Sequence, residues 1–335
     1  MSESMTATAR ANTNIALIKY WGKRDEALNL PATGSISLTL DGLETRTEVT
    51  FGDFPEDELS LDGRATSGKP RDRVSRILDL VRSRAGIKAR ARVVSANNFP
   101  TASGLASSAS AFAALALAAT RAAGMTLAPV ELSELARRGS GSAARSVYGG
   151  FVEMHKGTRA DGKDAIADHL ADWDLRLVIG VAGEGMKSTL STDGMRHTAE
   201  TSPYYPAWLA THAADLDDAR AAITARDLPR LGEVSERSCL KMHASALASK
   251  AGILYWSGAT VDAFHRVRAL RAEGVPVWFT NDAGPHVKAL CSAADAPRVA
   301  EALGSVQGVT RVVSCAPGKG VELVNPPDNP AKASA

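Results

Sequence analysis

Cysteine is scarce in this sequence. Its 335 residues include three cysteines, Cys239, Cys291 and Cys315, which are far apart and show no C-x-x-C spacing. An odd number of widely separated cysteines argues against a disulfide framework and against a cysteine-ligated metal site. Reduced thiols of this kind are typical of the cytoplasm, where we expect the protein to reside. The seven histidines show no H-x-x-x-H or similar spacing, so the sequence predicts no protein-bound metal.

Long apolar runs and a strong charge imbalance are also missing. No stretch approaches the ~18 apolar residues that a membrane span needs, and the first residues carry no apolar signal region. The 39 Lys and Arg residues nearly balance 37 Asp and Glu residues. We therefore expect neither a nucleic-acid partner nor a membrane partner. The 44% hydrophobic content supports a large core, and the length suits about two domains.

Periodicity along the chain predicts a mixture of strands and helices. We expect a loose segment over residues 1–9, strands over 14–18, 35–40, 45–51 and 175–181, and then mainly helices. Separate helices are expected over residues 204–214 and 216–225, and a further one over 287–292. This order indicates an α+β fold with domains at 1–185 and 186–325. The Pro/Ala-rich residues 326–335 are predicted to be a disordered tail.

A loop of small residues precedes a run of good helix formers. The loop is Asn-Asn-Phe-Pro-Thr-Ala-Ser-Gly-Leu-Ala-Ser-Ser-Ala-Ser at residues 97–110. Unpaired backbone N–H groups at such a helix start, backed by the helix dipole, favour phosphate binding. Gly104 allows close backbone approach, and Ser107 and Ser108 supply hydroxyls. An ordinary Ser-capped helix is the alternative, and the loop is neither a Walker A nor a G-x-G-x-x-G motif.

Residues 100–110 resemble the phosphate loop of the small-molecule kinase superfamily that includes galactokinase, homoserine kinase, mevalonate kinase and phosphomevalonate kinase. The leading Asn-Asn-Phe-Pro-Thr-Ala narrows the resemblance to one family, the diphosphomevalonate decarboxylases. The resemblance implies a small-molecule kinase fold with an N-terminal domain like ribosomal protein S5 domain 2, a ferredoxin-like C-terminal domain and an active site between them. It also implies that ATP and its Mg²⁺ bind at the loop. The residues it assigns to the nucleotide are Pro100, Ser103, Gly104, Leu105, Ala106, Ser107 and Ser108.

Polar residues crowd the end of the first predicted strand. The segment Asn-Ile-Ala-Leu-Ile-Lys-Tyr-Trp-Gly-Lys-Arg-Asp at 14–25 could be a solvated cluster, but it also resembles a signature of the same family. That resemblance places Asn14 and Lys19 at the reacting centre and Tyr20 and Lys23 at a substrate diphosphate. Arg73 is a weaker candidate for the diphosphate, and the neighbouring Arg71 is its alternative.

A second Gly/Ser element follows at residues 139–146, Gly-Ser-Gly-Ser-Ala-Ala-Arg-Ser. Taken alone it could be a structural turn with a surface arginine. It matches the family pattern Ser-Gly-Ser-Ala-x-Arg-Ser, which implies that Ser140, Ser142 and Arg145 bind the substrate. A guanidinium grips a carboxylate with two parallel hydrogen bonds, so Arg145 is expected to hold the carboxylate that is later lost.

Asp282 lies in Thr-Asn-Asp-Ala-Gly-Pro at residues 280–285. An aspartate before Gly-Pro is most often a turn or cap residue, whereas the family's Asp-Ala-Gly-Pro carries the catalytic carboxylate. Near Lys19 and Arg145 such a group could accept a hydroxyl proton. Asn281 and His286 depart from the family pattern, which usually has an apolar or aromatic residue before the Asp and often Asn after the Pro. Ser191, in a loop that could also be a domain linker, is the last diphosphate candidate.

The resemblance covers residues 9–324 and implies ATP-dependent decarboxylation of mevalonate 5-diphosphate to isopentenyl diphosphate, through phosphorylation of the 3-hydroxyl, in isoprenoid biosynthesis. We expect a homodimer with this small-molecule substrate. Two close alternatives are an enzyme acting on mevalonate 5-phosphate and one that stops at 3-phosphorylation. A non-catalytic ligand sensor is the alternative from another class, and a sensor would have no need of the base Asp282.

Overall fold

The computed structural model describes residues 5–99, 107–183 and 189–325. Its strands are β1 (Met5–Ile18), β2 (Lys23–Asp25), β3 (Leu30–Pro31), β4 (Ser35–Gly52), β5 (Glu58–Leu61), β6 (Arg64–Ala65), β7 (Arg90–Asn97), β8 (Phe151–Met154), β9 (Ala167–Ala171), β10 (Leu175–Ala182), β11 (Val277–Asn281), β12 (Val287–Ser292), β13 (Val309–Cys315) and β14 (Glu322–Val324). Its helices are α1 (Lys69–Ala85), α2 (Ser107–Ala122), α3 (Pro129–Gly139), α4 (Ser191–Thr201), α5 (Tyr205–Ala225), α6 (Leu228–Leu247), α7 (Gly258–Ala272) and α8 (Ala296–Gly304), with a 3₁₀ helix at Gly141–Val147. The predicted tail, 326–335, lies outside these ranges.

The first sheet is built on the long antiparallel pair β1 and β4. The strand order is β14-β1-β4-β7-β5-β6, and β8 and β9 extend it from the other end of β4. Side chains alternate across such strands, and on one face they pack against α1, α2 and α3, with Val49, Val93 and Leu115 buried between. The start of α2 and the 3₁₀ helix therefore lie against the same sheet.

The second sheet has the order β11-β12-β10-β13, and all its neighbours are antiparallel. One face packs against α7 and α8 through Val267 and Leu303. The other face shares a core with α5, α6 and the end of β1, where Ile15, Ile179 and Leu290 meet. This shared core brings the end of β1 close to the β11–β12 turn.

The first strand begins earlier than the sequence predicts. Residues 5–9 belong to β1 and pair with β4, so the expected loose segment is wrong there. Ala9 and Ala11 are buried, and Met5 and Ala7 pack beside them. This is a period-two pattern, but alanine is too small to make it visible as alternating hydrophobicity.

The segment Val287–Ser292 is a strand, so the predicted helix is wrong. Short apolar runs have no decisive period, and here pairing with β11 on one side and β10 on the other decides the conformation. One further expectation needs correction, because residues 205–225 form one continuous helix where two were predicted. Strand β10 pairs within the second sheet, and the domain division at residue 185 stays a prediction.

Candidate active site

Asp282 begins the turn between β11 and β12. Three hydrogen bonds hold this turn: Gly284 N donates to Asp282 O over 2.7 Å, Thr260 Oγ1 to Pro285 O over 2.7 Å, and Asn281 Nδ2 to His286 O over 2.7 Å. Asn281 is fully buried. The backbone that carries the Asp282 carboxylate is therefore fixed at both ends of the turn.

Lys19, the residue after β1, reaches this carboxylate from the first sheet. Its Nζ donates to Asp282 Oδ1 over 2.7 Å and to Ala16 O over 2.7 Å, and its backbone N–H donates to Ser238 Oγ over 3.0 Å. The Lys19 side chain is 1% exposed and that of Asp282 is 24% exposed. A buried ammonium needs a charged partner to offset its lost hydration, and the open face of Asp282 remains available to a ligand.

Lys288 contacts the other carboxylate oxygen, and our sequence analysis missed it. Its Nζ lies 3.3 Å from Asp282 Oδ2, and its side chain is 0% exposed. The signal that could have found it is a lysine amid the apolar residues 287–291, where a charge must be paired. We predicted a helix over residues 287–292, and a lysine on a helix is ordinarily solvated, so its burial was not expected.

The two lysines control the ionisation of Asp282. Burial alone would raise its pKa, but the positive charges of Lys19 and Lys288 outweigh burial and hold the pKa well below its ordinary value. Burial lowers the pKa of Lys288, and the charge of Asp282 partly opposes that effect. The carboxylate is therefore ionised at neutral pH and able to accept a hydrogen bond.

Arg145 lies in the 3₁₀ helix and is held by residues of the first sheet. Its Nη1 donates to Ser35 Oγ over 2.6 Å and its Nε donates to Asn14 Oδ1 over 3.2 Å. Asn14 in turn donates from Nδ2 to Ser142 O and Ser146 Oγ. Burial lowers the pKa of Arg145 to about 10, so the group stays cationic at neutral pH. The structure thus brings together Asn14 and Arg145, as predicted, and adds Ser35 and Ser146.

Serine hydroxyls link the start of α2 to the second Gly/Ser element. Ser108 Oγ lies 3.2 Å from Ser140 Oγ, which lies 3.3 Å from Ser142 Oγ. Ser107 is the first residue of α2. The other predicted nucleotide residues, Pro100, Ser103, Gly104, Leu105 and Ala106, lie outside the described residues.

Tyr20 and Arg73 flank the second Gly/Ser element. The buried Tyr20 hydroxyl has no hydrogen-bond partner in the described part of the chain, and burial raises its pKa. A Cβ at Gly141 would lie 2.4 Å from this hydroxyl, so only glycine fits there. Arg73 Nη2 donates to Gly139 O over 3.0 Å, whereas Arg71 pairs with Glu56. Between the two arginines, the geometry favours Arg73.

Lys23 lines a cavity with residues of α4. Thr192, Met195 and Arg196 form the other wall, and Ser191 is the first residue of α4, where the sequence had suggested a loop. Burial lowers the pKa of Lys23, the negative charge of Glu26 opposes that effect, and the positive charge of Arg73 adds to it. Lys23 and Arg73 are therefore close enough for their charges to interact, and the cavity at Lys23 also contains the carboxylates of Glu26 and Glu200.

Two family models match this chain. The model of the diphosphomevalonate decarboxylase-like N-terminal domain covers residues 11–167, and that of the mevalonate 5-diphosphate decarboxylase C-terminal domain covers 177–330. A human diphosphomevalonate decarboxylase is 41% identical over 306 residues, 83% of this chain and 75% of that protein. The chain belongs to the diphosphomevalonate decarboxylase family. The predicted resemblance is therefore confirmed.

Other members of the family add detail. The phosphomevalonate decarboxylase of Haloferax volcanii is 35% identical over 89% of this chain and 92% of that protein. A solved structure of the Enterococcus faecalis enzyme, MDDEF, in complex with MVAPP, AMPPCP and magnesium has a TM-score of 0.89 and 40% identity. The match covers 96% of this chain and 100% of that one. The predicted two-domain α+β fold class of the family is confirmed.

The two departures from the family pattern contact each other. Asn281 donates to the backbone oxygen of His286, and its Oδ1 accepts a hydrogen bond from Trp256 Nε1 over 3.2 Å. His286 Nδ1 accepts from Ala182 N over 3.2 Å. Both residues therefore help to stabilise the backbone around the Asp282 turn, and neither hydrogen-bonds to the Asp282 carboxylate within the described residues.

No described helix is long and apolar enough to cross a membrane.

Proposed function

We propose that this protein catalyses the ATP-dependent decarboxylation of mevalonate 5-diphosphate to isopentenyl diphosphate. The observation that carries the proposal is the ionised Asp282 carboxylate between Lys19 and Lys288, with the Arg145 guanidinium buried beside the same cluster. A carboxylate that accepts a hydroxyl proton and a cation that holds a carboxylate are the two groups that this chemistry requires of the protein.

Asp282 is proposed to accept the proton of the tertiary hydroxyl while that oxygen takes the terminal phosphoryl group of ATP. The low pKa of Asp282 makes it a weak base in the free protein, but the negative charges of a bound substrate would raise that pKa. In phosphoryl transfer, positioning and charge stabilisation contribute more than basicity. The C–C bond to the carboxylate then breaks, its electron pair forms the alkene, and phosphate leaves with the C–O electrons.

The described residues fit a nucleotide at the start of α2. A cavity beside α2 is lined by Arg73, Ser107, Ser108, Phe112 and Asp62, so it combines apolar surface with hydroxyls and charged groups. Bound ATP would supply the phosphoryl group, and its Mg²⁺ would neutralise phosphate charge. No group of three or more His, Cys, Asp or Glu in the described ranges is arranged to hold a metal.

The first prediction concerns the products. Purified protein with ATP, Mg²⁺ and mevalonate 5-diphosphate should release ADP, phosphate, carbon dioxide and isopentenyl diphosphate in equal amounts. Coupled ADP detection and trapping of labelled carbon dioxide measure the ratio. Release of ADP without carbon dioxide would instead identify a 3-kinase.

Mevalonate 5-phosphate is the second candidate substrate, because the Haloferax volcanii relative is a phosphomevalonate decarboxylase. The positive charges of Lys23 and Arg73, which lie close enough to interact, favour two phosphates over one, since each additional anionic group gains from nearby positive charge. Assays of mevalonate, its monophosphate and its diphosphate in parallel decide the question: a kcat/KM highest for the monophosphate would contradict our proposal.

The second prediction concerns Ser108. Changing Ser108→Ala removes a hydroxyl with almost no volume and should lower kcat/KM for ATP roughly 10- to 100-fold, which corresponds to about 1.5–3 kcal/mol for a hydrogen bond to a charged group. Steady-state kinetics measure the effect. Thr120→Val is the matched control, because within the described residues this hydroxyl of the same helix bonds only to the backbone at Ala116 and Leu117. Equal kinetics for Ser108→Ala and wild type would exclude Ser108 as a phosphate ligand.

We also propose that the protein acts in the cytoplasm as a homodimer. All three cysteines are free and buried, which suits a reducing compartment. Large apolar side chains at Leu190, Tyr204 and Leu254 are more than half exposed and are candidates for a contact between subunits.

A further inference from the structure

Lys288 differs from the other cations around Asp282 in how it is held. Lys19 makes two hydrogen bonds of 2.7 Å, and Arg145 is anchored by Ser35 and Asn14. Lys288 Nζ makes no hydrogen bond of normal geometry within the described residues. Its one ionic partner there is Asp282 Oδ2 at 3.3 Å, so the Asp282 carboxylate alone offsets the burial of this ammonium.

The register of the second sheet directs Lys288 to the site. It lies opposite Thr280 on β11 and Ile179 on β10. Leu290, two residues along β12, belongs to the core shared with the first sheet, whereas Val287 and Ala289 belong to the core under α7 and α8. Because alternate side chains share a face, Lys288 points toward the first sheet. A shift of the β12 register by one residue would turn the Lys288 side chain away from Asp282.

An apolar side chain of similar length would fill this position without the desolvation that a buried ammonium suffers. Packing alone therefore does not explain why a lysine occupies this position. The explanation must lie in its ionic partner, Asp282. We propose that Lys288 is a positioning residue that holds Asp282 Oδ2 while Lys19 holds Oδ1, and so fixes the plane of the carboxylate toward the substrate hydroxyl. The role in the reaction rests on the proposed function, but the interaction itself does not.

Few of the groups that face Asp282 are charged at neutral pH. Burial and the charge of Lys19 lower the pKa of His243 to about 3, and burial raises the pKa of Cys239 to about 11. Both are neutral near pH 7, so Lys19, Lys288 and Arg145 are the described cations that act on Asp282. Asp282 works as an anion, a state lost as pH falls through its pKa. Removing Lys288 should raise that pKa and move the loss to higher pH.

The test uses Lys288→Met, which keeps the length and removes the charge. The pKa of Asp282, followed by NMR of protein labelled with ¹³C-aspartate and assigned with Asp282→Asn, should rise by roughly 1–3 units, the effect of one opposite charge at short range. This titration needs no substrate, so it stays informative if the proposed reaction is wrong. A pKa unchanged from wild type in folded protein would overturn the inference.

Steady-state kinetics distinguish a positioning role of Lys288 from a purely structural one. In Lys288→Met, kcat should fall about 10- to 100-fold, as expected for a misplaced reacting group, while KM for both substrates stays within about threefold of wild type. Thr280→Val is the matched control, because Thr280 is buried beside Lys288 and its hydroxyl has no hydrogen-bond partner in the described ranges. If Lys288→Met keeps the wild-type kcat, or loses no more than Thr280→Val, Lys288 does not position Asp282.

Discussion

Asp282→Asn is expected to lower kcat by at least ~10²–10⁴-fold, the range typical of a general base. The amide keeps the shape of the side chain but cannot take the hydroxyl proton. Substrate affinity, measured by calorimetry, should change little, because we propose that Lys23, Arg145 and the loop before α2 bind most of the anionic substrate. A fall in kcat of less than about tenfold in folded protein would make Asp282 a turn residue and contradict the mechanism.

Asp282→Asn also removes a negative charge from beside buried lysines. A second variant is needed to separate this effect from the loss of the base. Asp282→Asn leaves the ammonium groups of Lys19 and Lys288 buried without their carboxylate, and an unpaired buried charge destabilises a protein by about 3–5 kcal/mol. The double variant Asp282→Asn with Lys288→Met removes one of these two charges. We expect it to regain part of the thermal stability lost in Asp282→Asn but no activity, which assigns the kinetic loss to the missing base.

Arg145→Leu is expected to lower carbon dioxide release by roughly 30- to 5,000-fold, since breaking a buried charge pair costs about 2–5 kcal/mol. The guanidinium is proposed to hold the substrate carboxylate, so ADP formation should fall less than carbon dioxide release. Arg145→Lys keeps the charge but loses the planar fork, and an intermediate rate is expected. Simultaneous measurement of ADP and labelled carbon dioxide checks both variants.

A matched control for Arg145 is Arg137, another buried arginine. Its guanidinium donates to the backbone oxygens of Leu28 and Gly162. Arg137→Lys should lower the melting temperature and leave kcat of the folded protein near wild type. Equal products from Arg145→Leu and wild type would show that Arg145 does not handle the carboxylate.

The sequence motifs supplied the candidate site residues, and the structure brings several of them into contact. Lys19 and Asp282 are 263 positions apart, yet their side chains form a 2.7 Å hydrogen bond. No local pattern encodes that contact, so resemblance to a family was needed to connect the two residues. The roles assigned to all the candidate site residues stay predictions.

Lys288 and the early part of β1 show where sequence reasoning failed and why. Both depend on pairing between strands, since β12 is fixed by the distant β10 together with the neighbouring β11, and residues 5–11 by β4. Helical and strand periods cannot be distinguished over six residues. Asn281, noted only as a departure from the family, proved to be a buried hydrogen-bonding residue of the Asp282 turn, which a single sequence does not reveal.

Strand β14 has a consequence for how the chain folds during its synthesis. It pairs with β1 in a register that sets Thr8 opposite Val324 and Arg10 opposite Glu322. This part of the edge of the first sheet therefore stays open until residues 322–324 have been synthesised and can pair with it. Contacts between residues so distant in the chain slow folding, and an open strand edge invites pairing with other nascent chains. Translation speed and chaperone supply should therefore influence the yield of folded protein more than the stability of either sheet alone suggests.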